Sequence, residues 1–112
     1  MFKIVQNPTY TWPVVIEFPT DGGKTEKSTF DAEFKRLTQS RVDEIKAAVV
    51  TGEMRDVDLA REALVGWTGV IDDSGNVPYS ESARDQLLEI PMVASAVVLA
   101  LLNSISGARR KN

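Results

Sequence analysis

Two adjacent carboxylates in the stretch Gly66–Val77, GWTGVIDDSGNV, are the residues whose types and spacing come nearest to a metal site. Asp72 and Asp73 start an oxygen-rich turn, and such a turn can form the first half of a calcium-binding loop. A calcium loop also needs a bidentate glutamate at its twelfth position, which is Ala83 when counted from Asp72. The stretch therefore predicts an ordinary β-turn and no metal site.

Catalytic residue types are scarce in the rest of the chain. Its 112 residues include no histidine and no cysteine, which removes the commonest general base, the commonest zinc ligand and the thiolate nucleophile. The acids Glu81 and Glu89 lie in predicted turns and helix starts, with no glycine-rich phosphate loop before a helix. We therefore predict no enzymatic activity, no catalytic residue and no cofactor; the alternative is an enzyme that works through carboxylates alone.

The net charge, the first residues and the length of the chain limit the expected partners, location and number of domains. The formal net charge is −3 and the sequence pI is about 4.9, so the surface repels phosphate and nucleic acid is not expected as a partner. The first residues, MFKIVQNPTY, do not resemble a secretory signal. These features predict a cytoplasmic protein, and 112 residues fit one domain.

One apolar helix is predicted at Met92–Ile105, MVASAVVLALLNSI, between Pro91 and Gly107. At about 100° per residue, one half of its surface carries the larger apolar side chains: Val93, Ala94, Val97, Val98, Leu101, Leu102 and Ile105. The other half is also mostly apolar, with Met92, Ala96, Leu99 and Ala100 beside Ser95 and Asn103. Such a helix must be buried on all sides or meet another protein. It is shorter than the roughly 18 residues of a membrane span, so no membrane insertion is expected.

Residues 1–37 predict a β-hairpin. Trp12–Phe18 is rich in β-branched and aromatic residues and ends at Pro19, which favours a strand at a sheet edge. The return strand, Thr25–Leu37, alternates Phe30 and Phe34 with polar residues, so one face of the hairpin needs a cover.

Residues 38–112 predict about four helices. The first is capped by Thr38 or Ser40 and ends at Gly52, and the second starts at the capping residue Asp56. The second is expected to place Val57, Ala60, Leu64 and Trp67 on one face and to stop at Gly66, with a short third strand at Thr68–Ile71 as an option. A third helix follows Ser80 or a capping box at Ser82-x-x-Asp85 and turns Leu87, Leu88 and Ile90 inward. Arg109, Arg110 and Lys111 follow the last helix, where its dipole favours cations.

The order of these motifs resembles the tail assembly chaperones of long-tailed bacteriophages. The resemblance runs from about Val14 to the last helix and depends on Phe30, Phe34, Lys35, Arg36, Gly66-Trp67-x-Gly69-Val70, Gly75, Pro78-Tyr79-Ser80 and Leu87-Leu88-x-Ile90-Pro91. It implies a small, non-enzymatic protein of the host cytoplasm that coats the tape measure protein and helps to recruit the major tail tube protein. It also implies that the protein is not retained in the mature virion.

The resemblance and the apolar helix together suggest a binding site. If Val93, Val97, Leu101 and Ile105 close the core, a shallow strip is left for a helix of the tape measure protein. We call this set the α4 strip: Met92, Ser95, Ala96, Leu99 and Asn103.

We therefore predict an α+β fold in a single domain, 1–112, with a hairpin region at 1–37 and about four helices in 38–112. Two non-enzymatic alternatives stay open. One is a structural virion component, such as a tail completion or connector subunit. The other is a generic interaction module that self-associates through the same helix.

Overall fold

The first two strands form the antiparallel hairpin that the alternation predicts. In the computed structural model, which describes residues 1–107, β1 (Thr9–Pro19) pairs with β2 (Thr25–Lys35) along its whole length, from Thr9 opposite Lys35 to Pro19 opposite Thr25. A short 3₁₀ turn at Asp21–Gly23 joins them, with Gly22 and Gly23 at positive φ. The basic residues at 109–111 lie outside the described residues.

A third strand, β3 (Leu64–Thr68), completes the sheet in the order β1-β2-β3. It pairs antiparallel with β2, from Thr68 opposite Asp31 to Leu64 opposite Phe34. The prediction that Leu64 and Trp67 continue the second helix is therefore wrong, as are the stop at Gly66 and the strand position Thr68–Ile71. Leu64 already has extended backbone angles, φ −83° and ψ 109°. Its N–H still donates to the Ala60 carbonyl and its own carbonyl accepts from the Tyr79 hydroxyl over 3.0 Å, so its backbone is satisfied without a further helical turn.

The four helices in the described chain confirm the α+β class. They are α1 (Gln39–Thr51), α2 (Asp56–Ala63), α3 (Glu81–Leu88) and α4 (Val93–Ser106). The Thr38 hydroxyl accepts the backbone N–H of Arg41 and so caps α1, as predicted, and Gly52 ends that helix in the left-handed conformation.

The predicted cap of α2 is displaced, and one of the two caps predicted for α3 is confirmed. Arg55, and not Asp56, is the N-cap of α2, and its backbone N–H donates to the Asp58 carboxylate over 2.9 Å. The cap of α3 is Ser80, whose hydroxyl accepts from the Ala83 N–H over 3.0 Å, so the box starting at Ser82 is wrong. The α2 cap thus lies one residue before the predicted position, and the α3 cap is the first of the two positions that the sequence offers.

The acidic stretch forms the tight turn that its composition predicts. β4 (Ile71–Asp72) pairs with β5 (Gly75–Asn76), and the Asp72 carboxylate accepts the Ser74 N–H over 2.7 Å.

The core lies between the inner face of the sheet and the helices α2 and α4, and α4 packs across β1. The largest fully buried side chains are Val14, Phe34, Leu59, Leu64, Val93, Val97 and Leu101. Trp67 closes one end of this core, where its indole N–H donates to the Val77 carbonyl over 2.8 Å. The apolar face of the hairpin is thus covered from within the chain.

α3 and α4 meet at an angle of 105°. Leu88 is buried as predicted and Leu87 is half-buried, but Ile90 is 43% exposed, so its predicted inward position is wrong. Ile90 comes after α3 has ended, at the corner where the chain changes direction, and its side chain therefore lies at the edge of the core.

Candidate partner-binding site

The candidate site lies on α4, a helix that contains no charged residue. Met92 precedes it as the N-cap, and Gly107 ends it in the left-handed conformation. Val93, Val97 and Leu101 are at most 1% exposed because they lie in the core between the sheet and the other helices. One side of α4 is therefore fixed in the core, and the opposite side faces outward without the charges of an ordinary solvent-exposed helix.

The structure places most of the α4 strip on the outward side. Leu99 is 60% exposed and Met92 is 48% exposed, and the side chains of Ser95 and Asn103 are exposed as well. Ala96 is half-buried and packs against the core. The five residues thus form a continuous surface whose largest members are apolar.

Two further α4 residues belong to this surface although they are predicted on the core side. Leu102 is 43% exposed and Ile105 is 41% exposed. The assignment of Ile105 to the core is wrong because it lies near the end of α4, beside Tyr10, Trp12 and Leu37 at the rim of the sheet. These two side chains extend the apolar surface from the α4 strip toward α1.

Ala100 is displaced in the opposite direction. The helical wheel places it on the outer half of α4, but it is 7% exposed and belongs to the buried core. On α2, Ala60 and Ala63 are fully buried, and such small side chains let α2 and α4 approach closely. The outward surface is consequently narrower than the sequence predicts at Ala100 and wider at Leu102 and Ile105.

The backbone of Met92 is unusual. Its φ is +79°, and it is the one non-glycine residue with positive φ in the described chain. The left-handed conformation costs a residue with a side chain about 1 kcal/mol. Here it turns the chain between α3 and α4, while the Met92 carbonyl accepts from the Ala96 N–H and the Ser95 hydroxyl. A strained residue therefore stands at the start of the α4 strip.

An ion pair and a helix cap account for the lowered pKa values of Glu62 and Asp58. The Arg41 guanidinium, which donates to the Glu62 carboxylate, holds the pKa of Glu62 below its ordinary value. The backbone N–H of Arg55 lowers the pKa of Asp58 in the same sense. Residues 1–107 bury no charged or polar residue and contain no cluster of three or more acids that could hold a metal ion.

No helix within residues 1–107 is by itself long and apolar enough to cross a bilayer, and α3 with α4 reaches that length only as the pair bent by 105°.

The sequence does not predict a second apolar surface, which lies before β1. In the segment before Pro8, the side chains of Phe2, Ile4 and Val5 are more than 80% exposed. The signal is present in the sequence as three large apolar residues just before a turn at Asn7-Pro8, but without a clear period it predicts no structure.

Comparison with known proteins adds no relative: the chain matches no protein-family model, no curated protein and no solved structure.

Proposed function

We propose that this protein is a tail assembly chaperone of a long-tailed bacteriophage that binds the tape measure protein through the α4 strip and its extension at Leu102. The observation that carries the proposal is the exposure of Met92 and Leu99 on a helix without charges. The choice of family depends on the order of the sequence motifs. The tape measure protein is called the client below.

A long, apolar, helical client suits this surface. The strip is shallow, with side chains of different sizes, and offers van der Waals contact in place of directed hydrogen bonds. An amphipathic helix laid across it would bury Leu99, and burial of one leucine side chain contributes about 2 kcal/mol. Weak contacts of this kind allow many copies to bind at many places along one client.

The wider assignment follows the family resemblance. The protein would act in the host cytoplasm, recruit the major tail tube protein to the coated client and leave before the virion matures. It would need neither nucleic acid nor a membrane nor a cofactor for this role.

The test is co-expression with the long helical protein encoded next to it in the phage genome. We expect the client to stay in the supernatant with the wild-type chaperone and to precipitate with Leu99→Asp. The matched control is Val50→Asp on α1, which changes a residue that is 86% exposed and lies outside α4. Equal client solubility with both variants would refute the α4 strip as the binding site.

The protein composition of purified virions distinguishes a chaperone from the alternative, a structural component of the virion. A chaperone is expected in lysates and absent from purified virions, whereas a tail completion or connector subunit is present in both. Detection of stoichiometric amounts in purified particles by mass spectrometry would exclude the chaperone assignment.

A further inference from the structure

The segment before β1 and the far end of the hairpin carry two apolar surfaces that the proposed function does not use. The first, which we call the arm, is Phe2–Val5, where Phe2 is 88% and Ile4 is 89% exposed. The second, which we call the sheet-end groove, has a volume of about 390 Å³. Its apolar lining includes Ile16, Phe18, Phe30, Val70, Leu87 and Ile90.

The arm is held at the opposite end of β1 from the groove. The guanidinium of Arg36 donates to the Asn7 carbonyl over 2.8 Å and lies 4.8 Å from the ring centre of Tyr10. The Arg36 N–H also donates to the Pro8 carbonyl over 2.9 Å. The chain is therefore held against Arg36 at Asn7 and Pro8, so the reach of the arm is counted from these residues.

This geometry prevents the arm from reaching the groove of its own chain. Phe2 lies five residues before Asn7 and reaches at most about 17 Å from it when fully extended. Ile16, the first groove residue on β1, lies nine residues beyond Asn7, about 30 Å along the strand. Any groove occupied by this arm must therefore belong to another molecule.

Charge also favours the pairing of these two surfaces. Lys3 is the one charged side chain in residues 1–8. The exposed charged residues that adjoin the groove lining in the chain are four acids and one base: Glu17, Asp31, Asp72, Glu89 and Lys27. A basic arm thus meets a groove with carboxylates at its margin.

We propose that the arm of one copy binds in the sheet-end groove of a second copy, so that the protein self-associates through two different surfaces. Three apolar side chains in one groove bury less area than the roughly 1,200 Å² of the smallest stable complexes, so the association is weak and depends on concentration. This proposal does not rest on the chaperone function, because neither surface includes the α4 strip.

The test uses sedimentation velocity on the full chain over roughly a hundredfold range of concentration, where mass action reveals weak association. The wild type is expected to sediment faster as its concentration rises. The arm variant Phe2→Ser/Ile4→Ser and the groove variant Ile71→Glu/Ile90→Glu are each expected to stay monomeric, with the circular dichroism of the wild type. The control Val50→Glu, exposed on α1, should associate like the wild type.

Mixing the two monomeric variants gives the decisive measurement. The arm variant retains an intact groove and the groove variant retains an intact arm, so the mixture should form a heterodimer that neither variant forms alone. A wild type that is monomeric throughout, an arm variant that still associates, or a mixture that stays monomeric would overturn the proposal. Loss of association in Leu99→Asp with the arm variant unaffected would assign the contact to α4 instead.

Discussion

The Tyr10 hydroxyl lies 2.7 Å from the Ser104 hydroxyl oxygen, and this contact joins the first strand to the last helix across 94 residues of sequence. Ser104 donates its own proton to the Leu101 carbonyl over 2.6 Å. Because a serine hydroxyl has one proton, Tyr10 is the donor and Ser104 the acceptor. The bond fixes the C-terminal half of α4 on the sheet, and so orients the surface that we propose for client binding.

Tyr10→Phe should lower the free energy of unfolding by about 1 kcal/mol, the usual contribution of one such hydrogen bond. The phenyl ring keeps the edge contact with Phe34, at 6.0 Å between ring centres, so the change isolates the hydroxyl. Urea denaturation of Tyr10→Phe, Ser104→Ala and the double variant measures the coupling. Additive effects of the two changes would show that the hydroxyls do not interact.

Leucines on the two sides of α4 should respond differently to the same substitution. Leu101 is 1% exposed, and Leu101→Ala should cost about 2–5 kcal/mol of unfolding free energy because it leaves a cavity. Leu99 is 60% exposed, and Leu99→Ala should change the same quantity by less than about 0.5 kcal/mol. Chemical denaturation compares the two directly. A large loss in Leu99→Ala would mean that Leu99 belongs to the core and is not free for a partner.

The hairpin and the existence of α4 could both be predicted from the sequence, because both depend on local patterns. The alternation around Phe30 and Phe34 has a period of two, and the start and end of α4 are marked by Pro91 and Gly107. These signals need no knowledge of the rest of the chain.

The position of β3 depends on tertiary pairing and so escapes local analysis. Leu64 and Trp67 continue the helical spacing of Val57 and Ala60, but the ladder to β2 ends α2 at Ala63. In Leu64–Thr68 the valine, tryptophan and threonine favour a strand. That preference outweighs the helical spacing only when a neighbouring strand is present to pair with.

The exposed side of α4 could be predicted only in part. A helical wheel separates Val97 from Leu99, but it cannot show that Ala100 is covered or that the sheet ends near Ile105. Those outcomes depend on how far the neighbouring elements extend. The residues at the margins of the candidate site are therefore the ones that the sequence places on the wrong side.

The ion pair between Arg41 and Glu62 predicts a specific pH dependence. The Arg41 hydrogen bond holds the pKa of Glu62 in the folded protein below its ordinary value of 4.5. The resulting stabilisation is present above that ordinary value and is lost as the pH falls through the lowered pKa. The wild type should therefore lose stability relative to Glu62→Gln as the pH is lowered from neutral through this range.

Thermal unfolding of both proteins from neutral to acidic pH measures this difference. In an Arg41→Gln background the Glu62→Gln change should alter the pH dependence much less, because the largest cause of the lowered pKa is gone and Lys35 contributes less. A pH profile shared by the wild type and Glu62→Gln would show that the pair does not contribute.

Met92 offers a way to separate stability from client binding. Its φ of +79° is strained for any residue with a side chain, and its side chain is 48% exposed in the α4 strip. Met92→Gly removes the strain and should raise the unfolding free energy by about 1 kcal/mol, while it removes a contact surface for the client. Met92→Ala is the matched control, because it removes the same contact and keeps the strain. Both variants should solubilise less tape measure protein than the wild type, although only the glycine variant becomes more stable. If client solubility instead rises with stability in Met92→Gly, the side chain of Met92 takes no part in binding, and the left-handed turn serves only to direct α4 across the sheet.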